Sequence, residues 1–173
     1  MGADLYIESN YSALQTRLQP QFEAAVRRRD AAKSTKARDE AQREVEQLFD
    51  EAHPPTAYFR DSYNSSSLLA QLGLSWWKDV APRLTESGAL SLADVRRLLD
   101  EVRHRRLSCQ SNATYEQQVA AEVISKVAGG SATVVVKDAF TADDVEWFVW
   151  RKQALITFLQ TALNLAEEPV CSL

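Results

Sequence analysis

A mainly helical fold, a bundle of five or six helices, is predicted by three observations. The 173 residues include only five Gly and five Pro, too few for a loop-rich or all-β protein. Apolar residues recur at steps of three and four along most of the chain, which is the spacing of one helical face. At several points Ser or Thr is followed three positions later by an acidic or amide side chain, a pattern typical of helix starts.

The first helical unit, residues 11–52, is predicted to be an αα-hairpin. Ser12 and Gln15 form a capping-box pattern, and apolar residues run from there to Val26 and return at Val45. One long helix over 11–52 is the alternative. A hairpin that turns at 33–35 gives both apolar ends a shared seam, so it is preferred. His53-Pro54-Pro55 ends the unit, because proline cannot continue a helix.

The remaining bundle, residues 53–166, is predicted to contain three or four more helices. Asn64 is the expected N-cap of a helix that runs to Val80, with a break at Gly73 or Pro82. The later starts are expected at Ser91, Thr114 and Thr141. The last helix is apolar around most of its circumference, which predicts a position inside the bundle. The whole chain, 1–173, is expected to form a single domain.

Two short segments favour β-structure. Residues 3–7 and 132–137 are rich in the side chains that strands prefer, and the second follows the Gly129-Gly130 pair. We expect a small two-stranded ribbon in which 3–7 pairs with 132–137, covered by a helix because a lone pair of strands is marginal. Residues 167–173 are expected to be frayed.

Composition argues against several classes of function. The chain carries 20 Lys+Arg against 24 Asp+Glu, whereas nucleic-acid and membrane surfaces select for net positive charge. Two His and two isolated Cys supply too few ligands for a metal site, and no cofactor motif is present. The chain has neither a secretory-signal pattern nor an uninterrupted apolar stretch of membrane-spanning length. We therefore expect a cytoplasmic protein without metal, cofactor or membrane partner.

A cluster of basic residues marks the predicted hairpin tip. It is a candidate contact surface made of Arg27, Arg28, Arg29, Lys33 and Lys36. Acidic residues such as Asp30, Asp39 and Glu40 are interleaved with it, and it holds no aromatic side chain that could stack on a base. A solvated tip is the preferred interpretation, and weak nucleic-acid binding is the alternative.

The segment 58–64 is the most unusual stretch, because it combines aromatic and hydrogen-bonding side chains between two helical units. The candidate site residues are Tyr58, Arg60, Asp61, Tyr63 and Asn64, together with Trp77. In a structural interpretation, Arg60 and Asp61 bond to helix ends. In an enzyme or small-ligand alternative, Arg60 holds an anion and Asp61 acts as a base. No catalytic motif supports the assignment of a catalytic residue.

The four tryptophans occur as two close pairs, Trp76-Trp77 and Trp147 with Trp150. Their helical spacing is typical of core positions. We expect one tryptophan of each pair to reach the surface.

Three blocks resemble a group of uncharacterised bacterial and phage proteins. They are Met1-Gly2-Ala3-Asp4-Leu5-Tyr6-Ile7, Tyr58-Phe59-Arg60-Asp61-Ser62-Tyr63-Asn64 and Leu72-Gly73-Leu74-Ser75-Trp76-Trp77. The resemblance covers roughly the first half of the chain and implies no activity, cofactor or catalytic residue. It favours packing of the first block on the second, and an accessory role in a phage or prophage. Our leading hypothesis is a non-enzymatic protein that acts through protein–protein interaction, with no prediction of its oligomeric state.

Overall fold

A three-stranded antiparallel sheet organises the fold in the computed structural model, which describes residues 2–63, 67–111 and 140–173. The strands are β1 (Gly2–Tyr6), β2 (Tyr58–Ser62) and β3 (Val170–Ser172), in the order β2-β1-β3. Residues 88–90 run along the outer side of β3, where the Cys171 amide donates to the Gly88 carbonyl and Ala89 bridges Val170. Among the described residues, β2 is therefore the strand on the other edge of the sheet.

Helices make up most of the described chain, as predicted. They are α1 (Glu8–Ala31), α2 (Thr35–Ala52), α3 (Leu68–Gln71), α4 (Leu92–His104) and α5 (Ala142–Leu165). A π-helical turn spans Trp76–Val80, and 3₁₀ turns span Ala81–Arg83 and Ser108–Ser111. No helix of these described ranges is long and apolar enough to cross a lipid bilayer.

The predicted hairpin is confirmed. Helices α1 and α2 turn at residues 32–34, and the Ser34 side chain caps α2 by accepting a hydrogen bond from the Ala37 amide. Leu18 and Ala25 of α1 pack with Val45 and Leu48 of α2 in a small apolar cluster, and Phe22 lies against it. The shared apolar seam therefore decides between one long helix and two short ones.

The first predicted strand is present, and two other strands of the described chain pair with it. Strand β1 exists, but both of its edges are occupied, by β2 along its whole length and by β3 from Asp4 to Tyr6. Residues 132–137 and the helix expected after Thr114 lie outside the described residues. The expected packing of the first sequence block on the second is confirmed, because β1 pairs with β2.

The C-terminal segment is ordered rather than frayed, and it also fixes the start of α1. Helix α1 begins at Glu8, four residues before the predicted capping box at Ser12. Its N-cap, Ile7, has no capping side chain, and the Glu167 carboxylate instead accepts hydrogen bonds from the amide and the hydroxyl of Ser9. These bonds lower the pKa of Glu167. A carboxylate beside the first turn of a helix is stabilised by its unpaired amides and dipole.

The helix expected from Asn64 to Val80 is interrupted at Gly73, one of the two predicted breaks. Gly73 has φ +67°, a left-handed conformation that favours glycine. Ser67 caps the short helix α3 by accepting from the Ala70 amide, whereas Asn64 lies outside the described residues.

The caps predicted for α4 and α5 are confirmed. Ser91 accepts a hydrogen bond from the Asp94 amide, and Thr141 with Asp144 forms a complete capping box. The main apolar core lies between the sheet and helices α3, α4 and α5, and its largest fully buried side chains include Phe59 and Phe158. This core is separate from the cluster in the hairpin.

Candidate functional site

The two faces of the sheet have different surroundings. Alternation along β2 turns Phe59 and Asp61 toward the main core, where both are buried, and turns Tyr58 and Arg60 to the other face. The same alternation buries Leu5 of β1 on the core face. The candidate residues that are adjacent in sequence are therefore divided between a buried and an accessible environment.

Asp61 is a buried structural acceptor. One carboxylate oxygen accepts from the Leu68 amide at 2.9 Å, and the other accepts from the Leu69 amide at 3.1 Å and from Trp76 Nε1 at 3.0 Å. The residue is 4% exposed. It thus holds the first turn of α3 and the indole of Trp76, as in the structural interpretation. This geometry gives no support to a role for Asp61 as a base.

On the opposite face, Asp4 connects β1 to two candidate residues of β2. The Tyr58 hydroxyl donates to Asp4 Oδ1, and Arg60 Nε lies 3.6 Å from the same oxygen. Burial, followed by this hydrogen bond, raises the pKa of Tyr58. The Arg60 side chain remains 60% exposed. Arg60 is therefore paired with Asp4 while more than half of its side chain is exposed to solvent.

A cluster of aromatic rings joins this face of the sheet to the base of the hairpin. The His53 ring lies 4.2 Å from the Phe49 ring and 4.7 Å from the Tyr58 ring, measured between centroids. Tyr6 and Tyr11 complete the cluster. His53 Nδ1 lies 2.7 Å from the Phe49 carbonyl oxygen, and because a carbonyl only accepts, Nδ1 carries the proton. His53 is thus fixed in orientation rather than freely solvated.

Between the hairpin base, β2 and α5 lies a cavity of about 480 Å³, which we call the β2 cleft. Its walls include Phe49, His53, Tyr58, Arg60, Trp150 and Arg151. Pro54 and Pro55 form part of the same lining, and Asp50 stands at the hairpin side. The cleft is mostly apolar, with a small number of polar groups, which is the usual composition of a binding pocket.

Arg151 is the cleft residue with the least complete set of partners. Its guanidinium lies over the Phe59 ring at 4.5 Å and 5.5 Å from the Trp147 ring. Its Nε is buried without a hydrogen-bond acceptor, and no carboxylate of the described residues lies within 4.0 Å of its guanidinium. Burial lowers the pKa of Arg151, and the negative charge of Asp61 offsets part of that effect.

Two large aromatic side chains at the cleft are exposed. Phe49 is 47% exposed and Trp150 is 58% exposed. Of the first tryptophan pair, Trp76 is buried and Trp77 is exposed, as expected, but both Trp147 and Trp150 are exposed. The last helix therefore lies on the core with one apolar face and presents another outward. Exposed aromatic groups around a cavity are typical of an interaction site.

The other predicted site residues lie elsewhere. Tyr63 and Trp77 pack together, with ring centroids 5.3 Å apart, beside a separate depression of about 140 Å³. Asn64 is outside the described residues. The structure thus brings Tyr58 and Arg60 together in the β2 cleft, buries Asp61 beneath it, and places Tyr63 and Trp77 at a different surface.

The basic hairpin tip is largely neutralised by neighbouring acids. Arg28 pairs with Glu44 at 2.5 Å, Arg29 with Asp30 at 2.9 Å, and Arg27 with Glu23 at 3.9 Å. Lys33 and Lys36 are exposed. Paired surface charges of this kind favour the solvated-tip interpretation over a phosphate-binding surface.

Within the described part of the chain, no group of three or more His, Cys, Asp or Glu side chains is arranged to hold a metal ion. Cys109 and Cys171 are both buried, and burial raises the pKa of Cys171 to about 12.

Comparisons with models of known protein families, with curated proteins and with solved structures give no match for this chain. The site is therefore interpreted from its geometry. Sequence reasoning missed Phe49, Trp150 and Arg151 as site residues because their helical spacing is also that of a core face. A usable signal was the last helix, where Arg151 interrupts an apolar stripe beside Trp147 and Trp150.

Proposed function

We propose that the protein is a non-enzymatic binding protein whose partner is another protein, and that the partner docks in the β2 cleft. The observation that carries the proposal is the pair of exposed aromatics, Phe49 and Trp150, at an apolar cavity of about 480 Å³. Large aromatic side chains supply most of the binding energy in protein interfaces, because they bury a wide apolar surface at low entropic cost.

The construction of the cleft supports this role. Proline lines one side, and the hairpin base, the sheet and α5 form the rest. The rings of Phe49, His53 and Tyr58 support one another, so that little side-chain freedom would be lost on docking. A rigid, partly apolar cleft of this size would hold two or three side chains of a partner.

The test is affinity capture from cells of the source organism with wild-type protein and a Phe49→Ser, Trp150→Ser double variant. Wild-type protein is expected to retain a specific partner that the double variant loses. Removing two aromatic anchors typically weakens binding by about 100-fold or more. Both side chains are exposed, so circular dichroism and thermal unfolding should show that the variant remains folded.

Two control variants show whether the loss of partner capture is specific to the β2 cleft. Trp77→Ser removes an equally exposed tryptophan, 56% against 58% for Trp150, from a different surface and should leave capture unchanged. Arg28→Glu with Arg29→Glu alters the hairpin tip and should also leave it unchanged. Retention of the same partner by the cleft variant, or its loss only in the tip variant, would refute docking in the cleft.

A further inference from the structure

The unpaired polar group in the β2 cleft indicates the chemistry of the occupant. Among the described residues, buried Arg151 Nε has no acceptor, although a guanidinium out of water is stabilised mainly by acceptor oxygens. Two acidic groups of the neighbouring strands are already engaged. Asp61 accepts three hydrogen bonds on the core face, and Asp4 is held by Tyr58 and Arg60.

A second buried donor lies on the other side of the Phe49 ring. The amide nitrogen of Gln15, Nε2, has no acceptor in the described part of the chain. Gln15 lines an apolar depression of about 160 Å³, and Phe49 and His53 line both this depression and the β2 cleft. Arg151 Nε and Gln15 Nε2 are both hydrogen-bond donors, so each needs an acceptor. A ligand that spans this surface would satisfy them with oxygen atoms rather than with N–H groups.

The charges around the cleft agree with an acidic ligand at Arg151. Arg60 and Arg151 contribute two positive charges to its walls, while Asp50 is the acidic residue among the described lining residues. Asp50 is exposed on the hairpin side, where water and salt screen it, whereas Arg151 is partly buried and less screened. Planar guanidinium groups bind carboxylates with two parallel hydrogen bonds.

We propose that the segment of the partner that docks in the β2 cleft is an acidic peptide, an inference that rests on the proposed function. An Asp or Glu carboxylate of this peptide binds Arg151, and a neighbouring large apolar side chain packs on Trp150 and Phe49. Trp150 and Arg151 are consecutive residues of α5, so the apolar and the charged contact lie side by side. A peptide is favoured over a small aromatic acid because the apolar surface continues past Phe49 into the second depression.

The test is selection of a random peptide library on the intact, immobilised protein, followed by Kd measurements with synthetic peptides. Peptides that lose binding to Trp150→Ser should be enriched in Asp or Glu next to a large apolar residue. Replacing those acids by Asn or Gln should weaken binding to wild-type protein about tenfold or more, as expected for a charge-assisted pair.

Variants of the protein test whether the weaker binding of the Asn or Gln peptides depends on Arg151. Arg151→Met keeps an unbranched side chain but removes the guanidinium that lies over Phe59. Peptides with Asp or Glu and their Asn or Gln counterparts should then bind this variant with nearly equal, weak affinity. Arg151→Lys should recover part of the preference, and Asp50→Asn should strengthen acidic-peptide binding about twofold at low salt. The Asp50 variant and the peptide substitutions test the proposal even if Arg151→Met does not fold.

The remaining outcomes separate the two proposals. Some selected peptides could depend on Trp150 and yet bind equally well after their Asp or Glu residues are replaced by Asn or Gln. That result would overturn the acidic-ligand inference and leave the docking site intact. Failure to select any peptide that depends on Trp150 would overturn both. Binding of indole-3-acetate alone, with a shift of the Arg151 Nε–H resonance, would replace the peptide by a small aromatic acid.

Discussion

Adjacent residues of β2 have different roles on the two faces of the strand. On the core face, Asp61 is surrounded by fixed donors that belong to α3 and to Trp76. On the other face, Arg60 has one partial partner, Asp4, and a mostly exposed side chain. A charged residue that is fully hydrogen-bonded by its own chain stabilises the fold, whereas one with unused capacity is available to a partner. Proximity in sequence alone therefore does not define a site.

The largest expected effect is on the core face. Asp61→Ala leaves three buried donors without an acceptor, so we expect the free energy of unfolding to fall by about 3 kcal/mol or more. Urea denaturation followed by circular dichroism measures this. Asp61→Asn keeps one carbonyl oxygen and should lose less. An Asp61→Ala variant as stable as wild type would contradict the structural role of this carboxylate.

A smaller effect is expected on the accessible face. Asp4→Asn removes a carboxylate that is 20% exposed and receives the Tyr58 hydroxyl, so a loss of about 1 kcal/mol is expected in the same assay. The matched comparison is with Asp61→Asn, since both are aspartates in neighbouring strands and both substitutions are the same. Equal losses for the two variants would show that the faces do not differ as described.

The third effect is the change of stability at alkaline pH, which should be small near pH 9 and grow as pH rises. Burial raises the pKa of Cys171 from an ordinary value of 9.0 to about 12, so the unfolded chain releases this proton first. Stability should be complete below pH 9 and fall as pH rises from 9 toward 12. Tyr58, whose pKa is also raised, adds to the loss.

Denaturation curves at pH 8, 9, 10 and 11 provide the measurement for this alkaline effect. Cys171→Ala should flatten the first part of the decline, and Tyr58→Phe should flatten the part above pH 10. An unchanged slope in Cys171→Ala would show that the thiol is not protected by the core face.

Local patterns predicted the helical part of the fold well. The starts at Ser91 and Thr141 depend on side chains three residues away, and the hairpin follows from the apolar positions on either side of its polar middle. Distant contacts could not be predicted in this way. The start of α1 depends on Glu167, and β3 is only three residues long and exists because β1 and residues 88–90 pair with it.

The candidate site was predicted in part. The aromatic and charged composition of 58–64 identified Tyr58 and Arg60, but their position beside α5 is a tertiary feature. The spacing of Trp147 and Trp150 fits a buried helix equally well, and only the packing of the bundle shows which apolar face remains uncovered. Similarly, Arg151 is distinguished by its missing acceptor, which depends on residues far away in the sequence.

The most direct test of docking in the β2 cleft is site-specific photo-cross-linking in cells of the source organism. A photoreactive phenylalanine analogue replaces Trp150 in one variant and Trp77 in another, since both positions are similarly exposed. We expect a discrete cross-linked product from position 150 that disappears when Phe49→Ser is added, and no such product from position 77. The same product from both positions, or one from 150 that is insensitive to Phe49→Ser, would contradict the account.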